Sequence, residues 1–137
     1  MSATLRRLCY FSQSLIEGSA EAKALEIERL LAVARRINAE MGVTGMLMTS
    51  DDCFAQILEG RPEAVGTIYG RIRQDGRHAG VTLLRDDPVV DRAFAGWAMR
   101  SVHSLSWPQM AEMRPQPLYQ RLTTLATEAT PQPSLSE

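Results

Sequence analysis

The sequence is short of the groups on which most side-chain chemistry depends. Of 137 residues only two are histidine and two cysteine, and 6% are aromatic. Neither C-x-x-C nor H-x-x-x-H spacing occurs, which removes the case for a metal site. Cys9 and Cys53 each fall within an apolar, strand-like run and read as small buried thiols of a reducing compartment. Charge of one sign is missing too. The 15 basic and 16 acidic residues leave a net charge of −1 and are spread along the chain, so no field draws it to nucleic acid or to an anionic membrane. There is no long apolar run and no basic-then-apolar leader, so neither a membrane span nor a signal peptide is expected, and the expected location is cytoplasmic. A G-x-G-x-x-G run is also absent, which argues against nicotinamide-dependent redox chemistry.

What the chain does have is 45% hydrophobic content, enough for one domain with an ordinary core. Its centre is Val43 to Gly60, VTGMLMTSDDCFAQILEG, two short apolar runs joined across Ser50-Asp51-Asp52. Strand-length runs about a polar turn predict a β-hairpin. One residue breaks the pattern. By the period of two, Phe54, Gln56 and Leu58 share a face, so a primary amide stands between large apolar neighbours. An amide has two donors and two acceptor lone pairs, and leaving them unpaired in an apolar setting costs roughly 1–3 kcal/mol. Either a polar partner lies nearby, or Gln56 faces solvent and Cys53, Ala55 and Ile57 form the core face.

Before the hairpin, residues 4–12 alternate as a first strand, with Leu8, Tyr10 and Ser12 on one face and Cys9 and Phe11 on the other; either could point inward. Ser19 is placed to cap a helix over Ala20–Met41, along which Ile27, Leu30, Leu31, Ala34, Ile37 and Met41 recur at helical spacing, and Gly42 ends it. Asn38 falls on that apolar stripe. It must either bond local carbonyls or meet a polar partner. After the hairpin, Pro62 opens a second amphipathic helix to about Gln74, Asp75 to His78 form a polar turn, 81–85 form a fourth strand, a loop carries Pro88, and 94–102 form a fifth. Trp97 and Met99 share a face of that last strand.

The order β-α-β-β-α-β-β predicts an α+β, ferredoxin-like sheet with two helices on one face. The second face then needs a cover. Short helices around 109–114 and 118–129, punctuated by Pro108 and Pro117, supply a C-terminal helical cap, with Leu118, Leu122 and Leu125 as its apolar side. The expected division is a domain over 1–104, a cap over 105–130, and a disordered tail over 131–137.

With Tyr10, Asn38, Gln56, Trp97 and Met99 in this order, the chain resembles the BLUF family of flavin-binding blue-light sensors. The resemblance covers about residues 4–102 and runs through V-T-G-M-L at 43–47, Q-I-L-E-G-R-P at 56–62, R-I-R-Q-D-G-R-H at 71–78 and F-A-G-W-A-M at 94–99. It implies FAD between the two helices and the sheet, with Tyr10 and Gln56 as the photochemical pair. Asn38 would bond the polar edge of the ring, Arg77 and His78 would meet its pyrimidine end with Asp75 close by, and Trp97 and Met99 would act in signalling. It further implies a sensor, not an enzyme, of the short type without a fused output domain, signalling to a separate downstream protein; a homodimer is compatible with the outer sheet face.

Two other readings share the fold. One is a flavin-free regulatory or protein-binding module, since this topology hosts many functions. The other, a small acyl phosphate hydrolase, needs an Arg-led glycine-rich anion loop after the first strand, and SQSLIEG at 12–18 has no arginine and one late glycine.

Overall fold

The computed structural model describes residues 4–102 and 104–128; the expected tail, 131–137, and the last two residues of the expected cap lie outside them. Strands β1 (Leu5–Ser14), β2 (Thr44–Thr49), β3 (Cys53–Gly60), β4 (His78–Val89) and β5 (Trp97–Ser101) form one sheet in the order β4-β1-β3-β2-β5. β5 runs parallel to β2, and the other neighbours are antiparallel. Helices α1 (Ala20–Met41) and α2 (Pro62–Gln74) cover one face, while α3 (Trp107–Glu112) and α4 (Pro115–Glu128) cover the other. This is the ferredoxin-like arrangement with a helical cap.

Local chemistry sets the element ends. Ser19 accepts the Ala22 N–H at the start of α1, and Gly42 leaves the helix in the left-handed region at φ 69°, where a side chain would be strained. Gly45 in β2 has φ 150°, and a Cβ there would lie 1.8 Å from the Ile57 carbonyl oxygen. Any other residue would push the central hairpin apart.

Both sheet faces are interior. On one side Cys9, Phe11, Ala55 and Ile57 pack with Met110, Leu118, Leu122 and Ala126 of the cap. On the other, Leu8, Tyr10 and Leu58 pack with α2, and Leu47 and Phe54 with Leu31 of α1. The question of which face of β1 points inward therefore has the answer that both do. Gln56 is 4% exposed, so the solvent-facing alternative does not hold.

Several element boundaries differ from expectation. β4 extends to His78–Val89 and includes Pro88, which stands opposite Arg6; a proline fits there because β4 is an edge strand with one side free of ladder bonds. β5 is only Trp97–Ser101, because the backbone before it bonds to a side chain rather than to a ladder: Ala93 and Phe94 N–H both donate to the Glu59 carboxylate. The cap helices begin earlier than expected, with Pro108 inside the first turn of α3 and Pro115 opening α4, positions that need no amide donor. Leu118 and Leu122 are fully buried as expected, while Ala126 rather than Leu125 completes the buried row.

Candidate functional site

Between α1, α2 and the sheet lies a cavity of about 290 Å³. α1, although 22 residues long, buries only Leu31 and Asn38; Leu30, Ala34 and Ile37 line the cavity, and Leu30 and Ile37 also pack in part against the neighbouring core clusters. α2 supplies Ile68, Arg71 and Ile72, and the sheet supplies Tyr10, Leu47, Phe54, Gln56 and Trp97. Aliphatic and aromatic walls with a few polar groups suit a flat, largely apolar ligand with polar edges.

Tyr10 and Gln56 are direct partners across the β1–β3 ladder, and the Tyr10 hydroxyl donates to Gln56 Oε1 at 2.7 Å. Both residues are buried, at 3% and 4% exposure. Burial pushes the Tyr10 phenol well above its ordinary pKa, with smaller contributions from Tyr69, Cys9 and Asp75. A phenol so placed keeps its proton at neutral pH. Its ring also packs against Tyr69, with centroids 5.7 Å apart, and edge-on to His78.

Asn38 is 2% exposed and lines the cavity. Its backbone carbonyl accepts the Val43 N–H at 2.8 Å and also the Gly42 N–H at the helix end; among the described residues its side-chain amide has no hydrogen bond, and the local-carbonyl alternative is not what the structure shows. Trp97 lines the cavity while Met99 does not. The Trp97 indole Nε1–H is buried without a hydrogen-bond partner among the described residues, whereas Met99 sulfur faces the Thr49 hydroxyl at 3.9 Å.

The remaining expected residues meet at the end of α2. Arg77 lines the cavity and reaches Glu26 of α1 at 3.2 Å, while Asp75 accepts the Arg77 N–H at 2.9 Å and shapes the turn. His78 opens β4, so it leaves the turn expected for it. Its Nε2 lies 2.6 Å from the Ile72 carbonyl, which can only accept, so Nε2 carries a proton. Nδ1 meets the Ser12 hydroxyl at 2.7 Å. Both ring nitrogens are thus engaged within the chain. Arg71, exposed at the cavity wall, was not singled out from the sequence although it stands in the run 71–78; on a helix surface an arginine carries no distinguishing pattern.

The groups present fit a flavin. The aliphatic and aromatic walls suit a fused ring system, the Trp97 Nε1–H is a buried donor without a hydrogen bond within the described residues, and the Asn38 and Gln56 amides line the cavity where a polar ring edge could meet them. Also among the described residues, no cluster of three or more His, Cys, Asp or Glu could hold a metal ion, and no helix is long and apolar enough to cross a membrane.

Fold and cavity together define a small ligand-holding α+β module with a tyrosine–glutamine pair in its wall. A family model described as "Sensors of blue-light using FAD" matches residues 5–100, and the chain belongs to that family, the BLUF domains. It is 35% identical over 100 residues to photoactivated adenylate cyclase subunit beta of Euglena longa, a match covering 72% of this chain and 11% of that protein. The Euglena gracilis subunit beta is 36% identical over 99 residues, with the same two shares. Among solved structures, BlsA in its photo-activated state is 29% identical with a TM-score of 0.69, over 90% of this chain and 93% of that one. A bacterial light-regulated adenylyl cyclase is 31% identical with a TM-score of 0.63, over 90% of this chain and 34% of that one. The chain thus spans about a tenth of the length of the curated relatives it matches. BLUF domains are flavin-binding photosensor modules.

Proposed function

We propose that this protein is a blue-light receptor that holds FAD in the cavity between α1, α2 and the sheet, and that Tyr10 and Gln56 convert absorption into a reversible change of hydrogen bonding. The observation that carries this reading is the 2.7 Å bond from the Tyr10 hydroxyl to Gln56 Oε1 in the buried wall of the cavity. A bound flavin supplies blue absorption and, once excited, a strong acceptor of electrons. Tyr10 is suited to give an electron together with its proton and to take both back, because its burial makes the separate phenolate unfavourable. Gln56 is suited to store the outcome: an amide has different donor and acceptor ends, so its reorientation or tautomerisation changes what the cavity offers without net turnover.

Asn38 holds a polar edge of the ring with its amide. Arg77 serves the pyrimidine end, oriented by Asp75, and His78 supports that end by fixing Ser12 of β1 to the last turn of α2. Trp97 and Met99 place β5 beside this arrangement, and β5 with the cap is the two-state element that relays the signal to a separate downstream protein. The contact supporting this relay is the Arg100 guanidinium of β5 on the Leu125 carbonyl of α4, at 3.2 Å.

The test is the visible spectrum of the purified protein in the dark and after a blue pulse. A flavin spectrum that shifts slightly to the red and returns without bleaching supports the reading. A colourless protein that ignores added FAD supports the flavin-free binding module, and bleaching to reduced flavin supports redox turnover.

A further inference from the structure

Glu59 takes no part in the cavity, yet it is the most completely enclosed charged group in the described chain, at 0% exposure. It follows Gln56 by three positions on β3, so the two side chains leave the strand on opposite faces. Its carboxylate accepts Arg7 Nε at 2.6 Å, the Ala93 N–H at 2.9 and 3.0 Å, and the Phe94 N–H at 3.0 Å. The neighbouring Arg92 fastens the same segment from outside: its guanidinium reaches the Gly42 carbonyl, the Thr44 hydroxyl and the Glu59 carbonyl at 2.9, 2.7 and 3.1 Å. Residues 92–94 are therefore bolted to the end of α1, to β2 and to β3 at once.

That segment leads directly into β5. β5 is five residues long, lies at the sheet edge and pairs only with β2 in parallel, a weakly held arrangement. Just before it, the Gly45 N–H donates to the Gly96 carbonyl at 3.0 Å. Where Trp97 stands relative to Gln56 thus depends on where residues 92–96 are held.

We infer that Glu59 is the positioning residue of the light response, setting the place and mobility of β5 and hence of Trp97 at the cavity wall. The inference rests on the photosensor reading for its functional meaning, but the anchoring itself does not. A carboxylate is required because both of its sides face donors. In Glu59→Gln the amide oxygen can still serve Ala93 and Phe94 only by turning the amide N–H₂ toward Arg7, or the reverse. Strength is lost on one side whichever way it turns.

The test is amide hydrogen exchange on the full chain, wild type and Glu59→Gln, first in the dark and then under blue light with FAD bound. In the dark, exchange in residues 93–101 is expected to rise about tenfold or more while that of α2 and β1 stays as in wild type. The light-induced absorption shift should persist, because Tyr10 and Gln56 are untouched, and the light-dependent change of exchange at 97–101 should disappear. Arg92→Ala, at the exposed side of the same clasp, should loosen 93–101 in the same way and serves if Glu59→Gln does not fold. Unchanged exchange in 93–101, or an equal rise throughout the chain, would overturn the inference. A wild type with no reversible shift would instead overturn the photosensor reading and leave the dark exchange to decide on Glu59.

Discussion

The Tyr10 hydroxyl meets Gln56 Oε1 from directly across the β1–β3 ladder, at 2.7 Å. The pair is preformed by sheet register, not by a mobile loop. Gln56→Leu keeps the apolar volume and removes the amide; it should retain flavin within about tenfold in Kd and lose the reversible red shift. Tyr10→Phe should also lose it. A normal shift in either variant, read by dark and light absorption spectra, would defeat the assigned roles.

Asn38, 2% exposed, presents its amide to the cavity. Truncation to alanine removes one or two bonds to a ligand and leaves the helix favoured, since alanine is the better helix former. Asn38→Ala should therefore weaken flavin binding by about tenfold, equivalent to roughly 1.4 kcal/mol, without lowering the melting temperature of the flavin-free protein. Titration of flavin absorbance or fluorescence checks the first part, and thermal unfolding the second.

Leu122 of α4 is fully buried against the sheet face opposite the cavity. If the cap folds as one unit with the sheet, Leu122→Ala should cost about 2–5 kcal/mol of unfolding free energy in a single transition. Urea unfolding followed by tryptophan fluorescence is informative, because Trp107 of α3 packs on Phe11 of β1 with ring centroids 5.5 Å apart. Two separate transitions would show a cap that opens alone.

Burial pushes the Cys9 thiol up from 9.0 to about 12, and the Tyr10 phenol rises for the same reason. The folded state therefore holds these protons where the unfolded chain has released them. For Cys9 the stabilising contribution is present below about pH 9 and is lost as pH rises from there through about 12. Cys9→Ala should flatten the fall of unfolding free energy across that window by up to about 1.4 kcal/mol per pH unit. Urea midpoints measured from pH 8 upward, in wild type and variant, give the comparison; parallel curves would refute it.

Much of this was legible in one dimension. Helical spacing from Ile27 to Met41 with Ser19 and Gly42 at its ends defined α1 without ambiguity, because capping chemistry and periodicity act over a few residues. The polar intruders Asn38 and Gln56 declared themselves by standing on apolar stripes, and the structure puts both at one cavity. The period of two could not say which sheet face held that cavity, since helices cover both faces. Nor could it separate Trp97 from Met99, which leave β5 on the same side; which of them reaches the cavity depends on how β5 is seated against α1.

Glu59 marks the limit most clearly. On the sequence it is an ordinary acidic residue before a glycine, and solvent is the default for a carboxylate. Only the assembled sheet brings Arg7 from β1 and the N–H groups of Ala93 and Phe94 to the same two oxygens, and so makes its burial tolerable. The amino-acid order by itself determined the strands, the helices, their sequence and the polar residues out of place, because those follow from interactions between near neighbours. Tertiary structure decided which of those residues meet, since partners up to 87 positions apart, as Arg7 and Phe94 are around one carboxylate, are joined by packing that no local pattern records.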